Sequence, residues 1–371
     1  MRVGILREIK EGEYRAAGVP AGVAALRRAG HTVLVESGAG TGSNISDAQY
    51  RQAGARILRS AASVFDQADL ILKVKEPLSS EYRRVRPGQI LFTFFHFAAN
   101  RSLVQAMLKS RAVCIAYETV EDNAGRLPIL VPMSEIAGRM SVQEGAKYLE
   151  KPMRGKGILL GGIPGVAPAE ILILGGGVVG ANAARVAAGF GGEVTILDND
   201  LDRLRHLENI MPKNVRFLMS LQENIDHRLR TADLVICAAL RRGGRAPVLI
   251  SRKVLKRMKP GSVIVDVAID QGGCAATSRP TTHAAPIFVR DGIVHYCVSN
   301  IPGAVPITST YGLTNATLPY VLEIAGRGLR GALAAHPALS RGVNLAGGRV
   351  TSLPVAEALG LTSTPLSEAL A

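Results

Sequence analysis

Residues Ile171-Leu-Ile-Leu-Gly175-Gly176-Gly177-Val178-Val179-Gly180 set the pattern G-x-G-x-x-G directly behind a short apolar run and ahead of a helical one ending near Phe190. Its place between an apolar run and a helical one is what constrains the fold. Gly175 permits a tight turn, Gly177 lets a pyrophosphate approach the backbone, and Gly180 allows close packing of helix on strand. The helix N-terminus adds N–H donors and positive potential. In a chain with 40 glycines the pattern alone is weak. It gains force from Asp198, which ends the next apolar run 23 residues after Gly175, where a carboxylate accepts the ribose hydroxyls of NAD and repels the 2′-phosphate of NADP. The expected cofactor is NAD, with Arg203 and Arg205 as the neighbours that argue for NADP.

Short β-rich runs alternate with helical ones along the rest of the chain, which is the α/β signature. A first series of expected strands covers Arg2 to Leu6, Thr32 to Glu36, Leu70 to Val74, Ile90 to Phe95 and Ala112 to Tyr117. Pro20 to Ala29 and Ser102 to Ser110 read as helices between them. A second series covers Glu170 to Leu174, Glu193 to Leu197, Asp233 to Ala238, Ser262 to Ala268 and Ile293 to Val298. Between the series, Ser134 to Leu149 reads as one helix with Ser134 as N-cap, followed by a glycine-rich segment from Gly155 to Pro168. Thr314 to Leu333 is again helical and returns the chain to the first series. The expected fold class is α/β with two doubly wound parallel-sheet domains. The second, residues 131–306, is a Rossmann NAD-binding domain inserted into a discontinuous first domain, residues 1–130 plus 307–371.

Ligands of open α/β sheets sit outside the carboxyl ends of the strands, so polar residues that directly follow apolar strands are the candidates for chemistry. The first series supplies Lys75 and His96, and the second supplies Asp270 and Asn300. A cation, an imidazole, an acid and an amide beside a nicotinamide suit hydride transfer with acid/base chemistry. His96, with an ordinary pKa of about 6.5, is the natural proton carrier.

The charge balance, 44 basic against 30 acidic residues for a net +14, raises the question of a nucleic-acid partner. The basic residues crowd between Arg203 and Lys259, but no aromatic residues are interleaved with them and no nucleic-acid module is recognisable, so the expectation is no nucleic-acid partner. The alternative reading would demand DNA affinity that falls steeply with salt. The glycine-rich apolar stretch from Gly157 to Ala184 carries Pro164, Pro168, Glu170 and Asn182, and the amino terminus lacks an apolar leader, so a soluble cytoplasmic protein without a membrane segment is expected. Cysteines 114, 237, 274 and 297 form no C-x-x-C pair and read as buried small hydrophobes, with no metal site or redox dithiol indicated.

Five stretches carry a family resemblance: Leu72-Lys-Val-Lys-Glu-Pro77, Gln89-Ile-Leu-Phe-Thr-Phe-Phe-His96, Pro132-Met-Ser-Glu-Ile-Ala-Gly-Arg139, Val265-Asp-Val-Ala-Ile-Asp-Gln-Gly-Gly-Cys274 and Thr308-Ser-Thr-Tyr-Gly-Leu-Thr-Asn-Ala-Thr-Leu-Pro319. In order from Met1 to about Leu333, the chain resembles the L-alanine dehydrogenases. The resemblance implies reversible NAD-dependent oxidative deamination of L-alanine to pyruvate and ammonia, by a homo-hexamer. It implies that Arg15 and Lys75 bind the substrate carboxylate and carbonyl, that His96 is the acid/base, that Asp270 assists proton transfer, and that Asn300 closes the pocket. The implied cofactor contacts, besides Gly175, Gly177 and Gly180, are Ser134, Val178, Val179, Asp198, Ser220, Ala239, Leu240, Val267, Ala268, Ile269, Asp270, Arg279, Ser299 and Asn300.

The chain departs from the family pattern in three places. Arg15-Ala-Ala-Gly-Val-Pro20 stands where R-V-A-x-T-P is usual, losing a β-branched residue and a hydroxyl. Ile301 and Ile307 replace a thioether and a cation, and Arg241-Arg-Gly-Gly-Arg-Ala-Pro247 replaces I-P-G-A-K-A-P. These changes bear on binding strength and side-chain specificity more than on reaction type. Glu323 is followed one turn later by Arg327 where metal-binding relatives carry His, so no metal is expected there. The alternatives are the NAD(H)-binding component of a transhydrogenase, which the intact Arg15, Lys75, His96, Asp270 and Asn300 set disfavours, and a dehydrogenase for another small amino acid.

Overall fold

The computed structural model describes residues 1–239 and 245–371. Its strands, in chain order, are β1 (Arg2–Ile5), β2 (Thr32–Glu36), β3 (Arg56–Leu58), β4 (Leu70–Lys75), β5 (Ile90–Phe94), β6 (Val113–Ala116), β7 (Glu170–Leu174), β8 (Glu193–Asp198), β9 (Val215–Met219), β10 (Leu234–Cys237), β11 (Val263–Asp266), β12 (Ile287–Arg290), β13 (Ile293–Tyr296), β14 (Val343–Ala346) and β15 (Arg349–Val350). They build two compact units, one of residues Met1–Met133 with Gly303–Ala371 and one of Ser134–Pro302.

The first unit holds an eight-stranded sheet in the order β15-β14-β6-β5-β4-β1-β2-β3. β1 to β6 are parallel, as crossovers through helices such as Pro20–Arg28, Ala61–Gln67 and Arg101–Ser110 require. β14 and β15 pair antiparallel at one edge. The central strands are buried on both faces, and β4 and β5 read as near-continuous apolar runs for that reason. One face is closed by a cluster that includes Leu34, Phe65, Leu91, Phe95, Leu103 and Met107. The chain runs from β1 outward through β2 and β3, then jumps back to lay β4 on the other side of β1. Between β1 and β4 lies the topological switch, where an α/β sheet opens a crevice.

The second unit holds seven strands in the order β12-β13-β11-β10-β7-β8-β9, all parallel but the edge strand β12. Its switch lies between β7 and β10. The strand order around it is that of the Rossmann fold.

The helix expected to start at Ser134 spans Val131–Tyr148, so Ser134 lies inside its first turn and is not the N-cap. Pro132 explains the earlier start, because a first-turn residue needs no N–H. The helix expected from Thr314 runs from Pro306 to Ala335 with a break at Gly328 (φ 69°). β3, β9, β12, β14 and β15 are additions to the strands legible in the sequence. No helix of the described residues is long and apolar enough to cross a membrane.

Candidate active site

In the first unit, the carboxyl ends of the four adjacent strands β1, β4, β5 and β6 carry a line of polar groups. Arg15 lies in the loop after β1. It is buried to 2% exposure, and its Nε and Nη2 donate to the two carboxylate oxygens of Glu13 at 2.7 and 2.5 Å. Nη1 faces Met133 Sδ at 3.0 Å. Burial would raise the Glu13 pKa, but the Arg15 bonds outweigh it and the carboxyl is held below its ordinary value. The pair therefore stays ionised and fixes the guanidinium plane. Ala16, Ala17 and Val19 of the departing segment are buried, and the Ala16 N–H donates to Thr310 Oγ1 at 2.9 Å.

Lys75 is the last residue of β4 and is half-buried. Desolvation, then the charge of Arg15, lowers its ammonium pKa, with Glu13 opposing. Lys73, two residues earlier, is on the same strand with its ammonium fully buried between Glu81 (3.1 Å) and Glu8 (3.4 Å). That triad is a structural clamp, because the Val74 and Leu78 N–H groups donate to the same two carboxylates.

His96 follows β5 in the left-handed conformation, φ 52° and ψ 42°. Its ring stacks on Phe94 with centroids 5.9 Å apart, and its side chain remains half-exposed. Glu118, just past β6, explains the turn. Its carboxylate accepts the His96 N–H at 2.6 Å and the Phe95 N–H at 3.2 Å. Desolvation of the ring, then the cations Lys75, Lys10 and Arg15, lowers the His96 pKa. The imidazole is therefore neutral at physiological pH and able to accept a proton. Glu118 is pushed up to about 6, first by burial, against the amides of His96 and Phe95 and the charge of Lys75.

In the second unit, Gly175 takes φ 105°, and a Cβ on Gly180 would lie 1.8 Å from the Gly175 carbonyl oxygen, whereas a Cβ on Gly177 would meet nothing within 4 Å. The backbone at Gly177 is thus open to a phosphate, while Gly180 is needed for packing. Val178 and Val179 begin the helix Val178–Gly189. Asp198 ends β8 almost buried. Its Oδ2 accepts the Gly176 N–H at 2.6 Å and its Oδ1 the Asp200 N–H at 2.9 Å, and Arg203 lies 3.2 Å from Oδ2. The carboxylate is tied to the glycine loop itself. The Ser220 N–H donates to the Asp198 carbonyl, which sets Ser220 beside it.

Ala239 follows β10, and Val267, Ala268, Ile269 and Asp270 form a 3-10 turn after β11 with Asp270 exposed. Ser299 and Asn300 follow β13, with Asn300 left-handed (φ 63°) and its carbonyl accepting from His283 Nε2 at 3.2 Å. Arg279 is exposed, its guanidinium 4.5 Å over the Phe288 ring. Ser134 opens this unit. Leu240, expected among the cofactor contacts, and Arg241 and Arg242 of the basic run lie outside the described residues. Part of that run is paired, with Lys259 3.3 Å from Asp233 and Arg205 2.8 Å from Asp202. Arg327, where no metal was expected, donates to Glu323 at 2.6 Å.

The model of the alanine dehydrogenase/PNT N-terminal domain matches residues 4–137, and that of the C-terminal domain matches residues 141–353. The chain belongs to the alanine dehydrogenase/PNT family. It is 53% identical to an alanine dehydrogenase of Methanococcus maripaludis over the whole of both chains. A solved L-alanine dehydrogenase superposes with a TM-score of 0.94 at 45% identity, covering 97% of this chain and 99% of that one. A transhydrogenase from Sinorhizobium meliloti superposes at 0.80 with 24% identity over 95% and 99% of the two chains, a likeness of fold alone. In this family member, sequence reasoning passed over Glu13 and Glu118. Glu118 follows β6 as His96 follows β5, so the same strand-end rule points to it.

Proposed function

We propose that this chain catalyses the reversible NAD-dependent oxidative deamination of L-alanine to pyruvate and ammonia. The observation that carries the proposal is the set Arg15, Lys75 and His96, brought to adjacent strand ends at the switch of the first sheet. Full-length similarity to alanine dehydrogenases supports it. In this reading the substrate belongs to residues 1–130 and 307–371 and the cofactor to residues 131–306. The open backbone at Gly177, the helix start at Val178 and the Asp198 carboxylate fit a dinucleotide with an unphosphorylated ribose.

NAD, when bound, supplies the acceptor for the hydride that leaves the alanine Cα. Arg15, its plane set by Glu13, provides the counter-charge for the substrate carboxylate and so fixes which face of Cα is presented. Lys75 donates to the carbonyl oxygen of pyruvate and, in the oxidative direction, stabilises the oxygen that water brings to the imine carbon. His96, neutral and held by Glu118, takes the proton from that water and returns it when ammonia departs. Asp270 would orient the water or ammonia, Asn300 would close the pocket beside the nicotinamide, and the remaining contacts from Ser134 to Ser299 would hold the cofactor.

The test is the absorbance of NADH formed by purified protein with NAD and L-alanine at alkaline pH, against NADP, glycine and L-serine. His96→Ala should lower the rate at least 100-fold, in keeping with the roughly 10²–10⁴ that a general base contributes, while NADH binding is retained. A protein that binds NADH yet oxidises none of these amino acids would sink the assignment. The transhydrogenase reading rests on fold alone and gains no support from a specific residue.

A further inference from the structure

The second unit gathers two thiols and a carboxylate that no step above uses. Cys237 ends β10 and Asp266 ends β11, and the two are register partners in the parallel pair. After the 3-10 turn the chain doubles back through Gly272 and Gly273, both with positive φ, and delivers Cys274 to the same place. All three side chains are fully buried, and their ligand atoms lie within 4.8 Å of one another. The Asp266 carboxylate is only half used. Oδ2 accepts from the Cys274 N–H at 2.8 Å, the Ala275 N–H at 3.4 Å and the Ser278 hydroxyl at 2.5 Å. Oδ1, equally buried, has no hydrogen-bond partner among the described residues.

A buried carboxylate oxygen without a donor, next to two thiols, is a ligand set of the kind that soft divalent cations take. We propose that Cys237, Cys274 and Asp266 bind one thiophilic divalent cation of the zinc and cadmium class. Zinc holds sulfur at about 2.3 Å and carboxylate oxygen at about 2.1 Å, so tetrahedral ligands stand about 3.5–3.8 Å apart. The present cluster, with its ligand atoms within 4.8 Å of one another, reaches that geometry by contracting about 1.3 Å at most. Binding replaces the two S–H bonds by two metal–sulfur bonds and releases two protons to solvent, while Asp266 Oδ1 gains the partner it lacks. The Cys274 thiol gives up its contact with the Ala239 carbonyl, 3.5 Å away, in the process. The C-x-x-C spacing that announces many zinc sites is absent because the donors come from two strand ends and a returning loop, 37 positions apart.

The test uses the full chain, reduced beforehand, titrated with Cd²⁺ and followed by the ultraviolet sulfur-to-cadmium charge-transfer band. One equivalent should bind, Cys237→Ala and Cys274→Ala should each weaken binding at least 10-fold, and Cys114→Ala, in the other unit, should leave it unchanged. No band with the wild-type chain, or a band that survives both alanine variants, overturns the proposal. X-ray absorption of the zinc-loaded wild-type chain reads the ligands without any substitution. Two sulfur scatterers with oxygen support the site. A shell of nitrogen and oxygen alone overturns it, and a third sulfur, from Cys297 after β13, overturns Asp266 as the third donor.

Discussion

Glu118→Gln separates the positioning of His96 from its chemistry. The left-handed backbone at His96 costs about 1–2 kcal/mol for a non-glycine residue, and hydrogen bonds to a charged acceptor contribute about 1.5–3 kcal/mol. The Glu118 carboxylate supplies such bonds to the His96 and Phe95 amides. Both amides point chiefly at Oε1, so glutamine can keep its one oxygen there, but that oxygen is neutral and the amide nitrogen takes the Oε2 place beside the Phe95 N–H; the charge assistance of both bonds is lost and the left-handed turn is no longer offset. A loss of about 1.5–3 kcal/mol in holding the imidazole lowers kcat/KM by about 10- to 100-fold, while KM for alanine, which the proposed mechanism assigns to Arg15 and Lys75, stays within about two-fold. The pH profile gives a second reading. Because the Glu118 pKa is raised to about 6, the folded chain holds its proton more tightly than the unfolded one. Its ionisation therefore removes stability as pH rises from about 4.5 to 6, by about 2 kcal/mol in all. The same ionisation puts negative charge on the oxygen that holds both amides and strengthens both bonds, so wild-type kcat/KM should rise with pH through about 6. The variant should lack both the acidic limb and the stability slope. Steady-state kinetics and denaturant unfolding from pH 5 to 8 decide it. Wild-type kcat/KM in the variant, or an acidic limb that persists at 6, refutes the reasoning.

Three further outcomes follow from the geometry. Gly177→Ala should keep the melting temperature and weaken NADH binding about 10-fold, because its Cβ meets no protein atom within 4 Å and enters only the space the proposal gives to phosphate, whereas Gly180→Ala should lower the melting temperature, with its Cβ 1.8 Å from the Gly175 oxygen. Asp198→Ser should raise the preference for NADPH over NADH at least 10-fold, measured by fluorescence titration, since it removes the carboxylate and leaves Arg203, now 3.2 Å from it, without that partner beside the proposed ribose site. Lys73→Met should destabilise the chain by about 3–5 kcal/mol in urea unfolding, because Glu8 and Glu81 would be left as buried charges without a counter-ion.

How much of this was legible in the sequence varies with the kind of element. β2 and β7 match the apolar runs that announced them, residue for residue, because a strand buried on both faces is written as a continuous hydrophobic segment. The edge strands escaped. β3 is three residues long, and β14 and β15 pair antiparallel beside β6, so each exists because a neighbour offers an open ladder and not because its own pattern demands it. At the site, Lys75 and His96 were legible as polar residues that end apolar strands. Glu13 was not, since its importance lies in a bidentate grip on Arg15 that a two-residue separation in a loop does not announce.

The sequence by itself determined the strand-turn-helix around Gly175, the acid at the end of the following strand and the alternation of strands and helices. Each is a local matter of backbone freedom, hydrophobic period and covalent adjacency. The tertiary structure alone decided that β6, β5, β4 and β1 lie side by side, which brings Glu118, His96, Lys75 and Arg15 to one edge, and that Cys237, Asp266 and Cys274 converge. Strand order is chosen by the burial free energy of the whole sheet, with crossovers that span tens of residues, so the neighbours it creates leave no trace in any short stretch of chain.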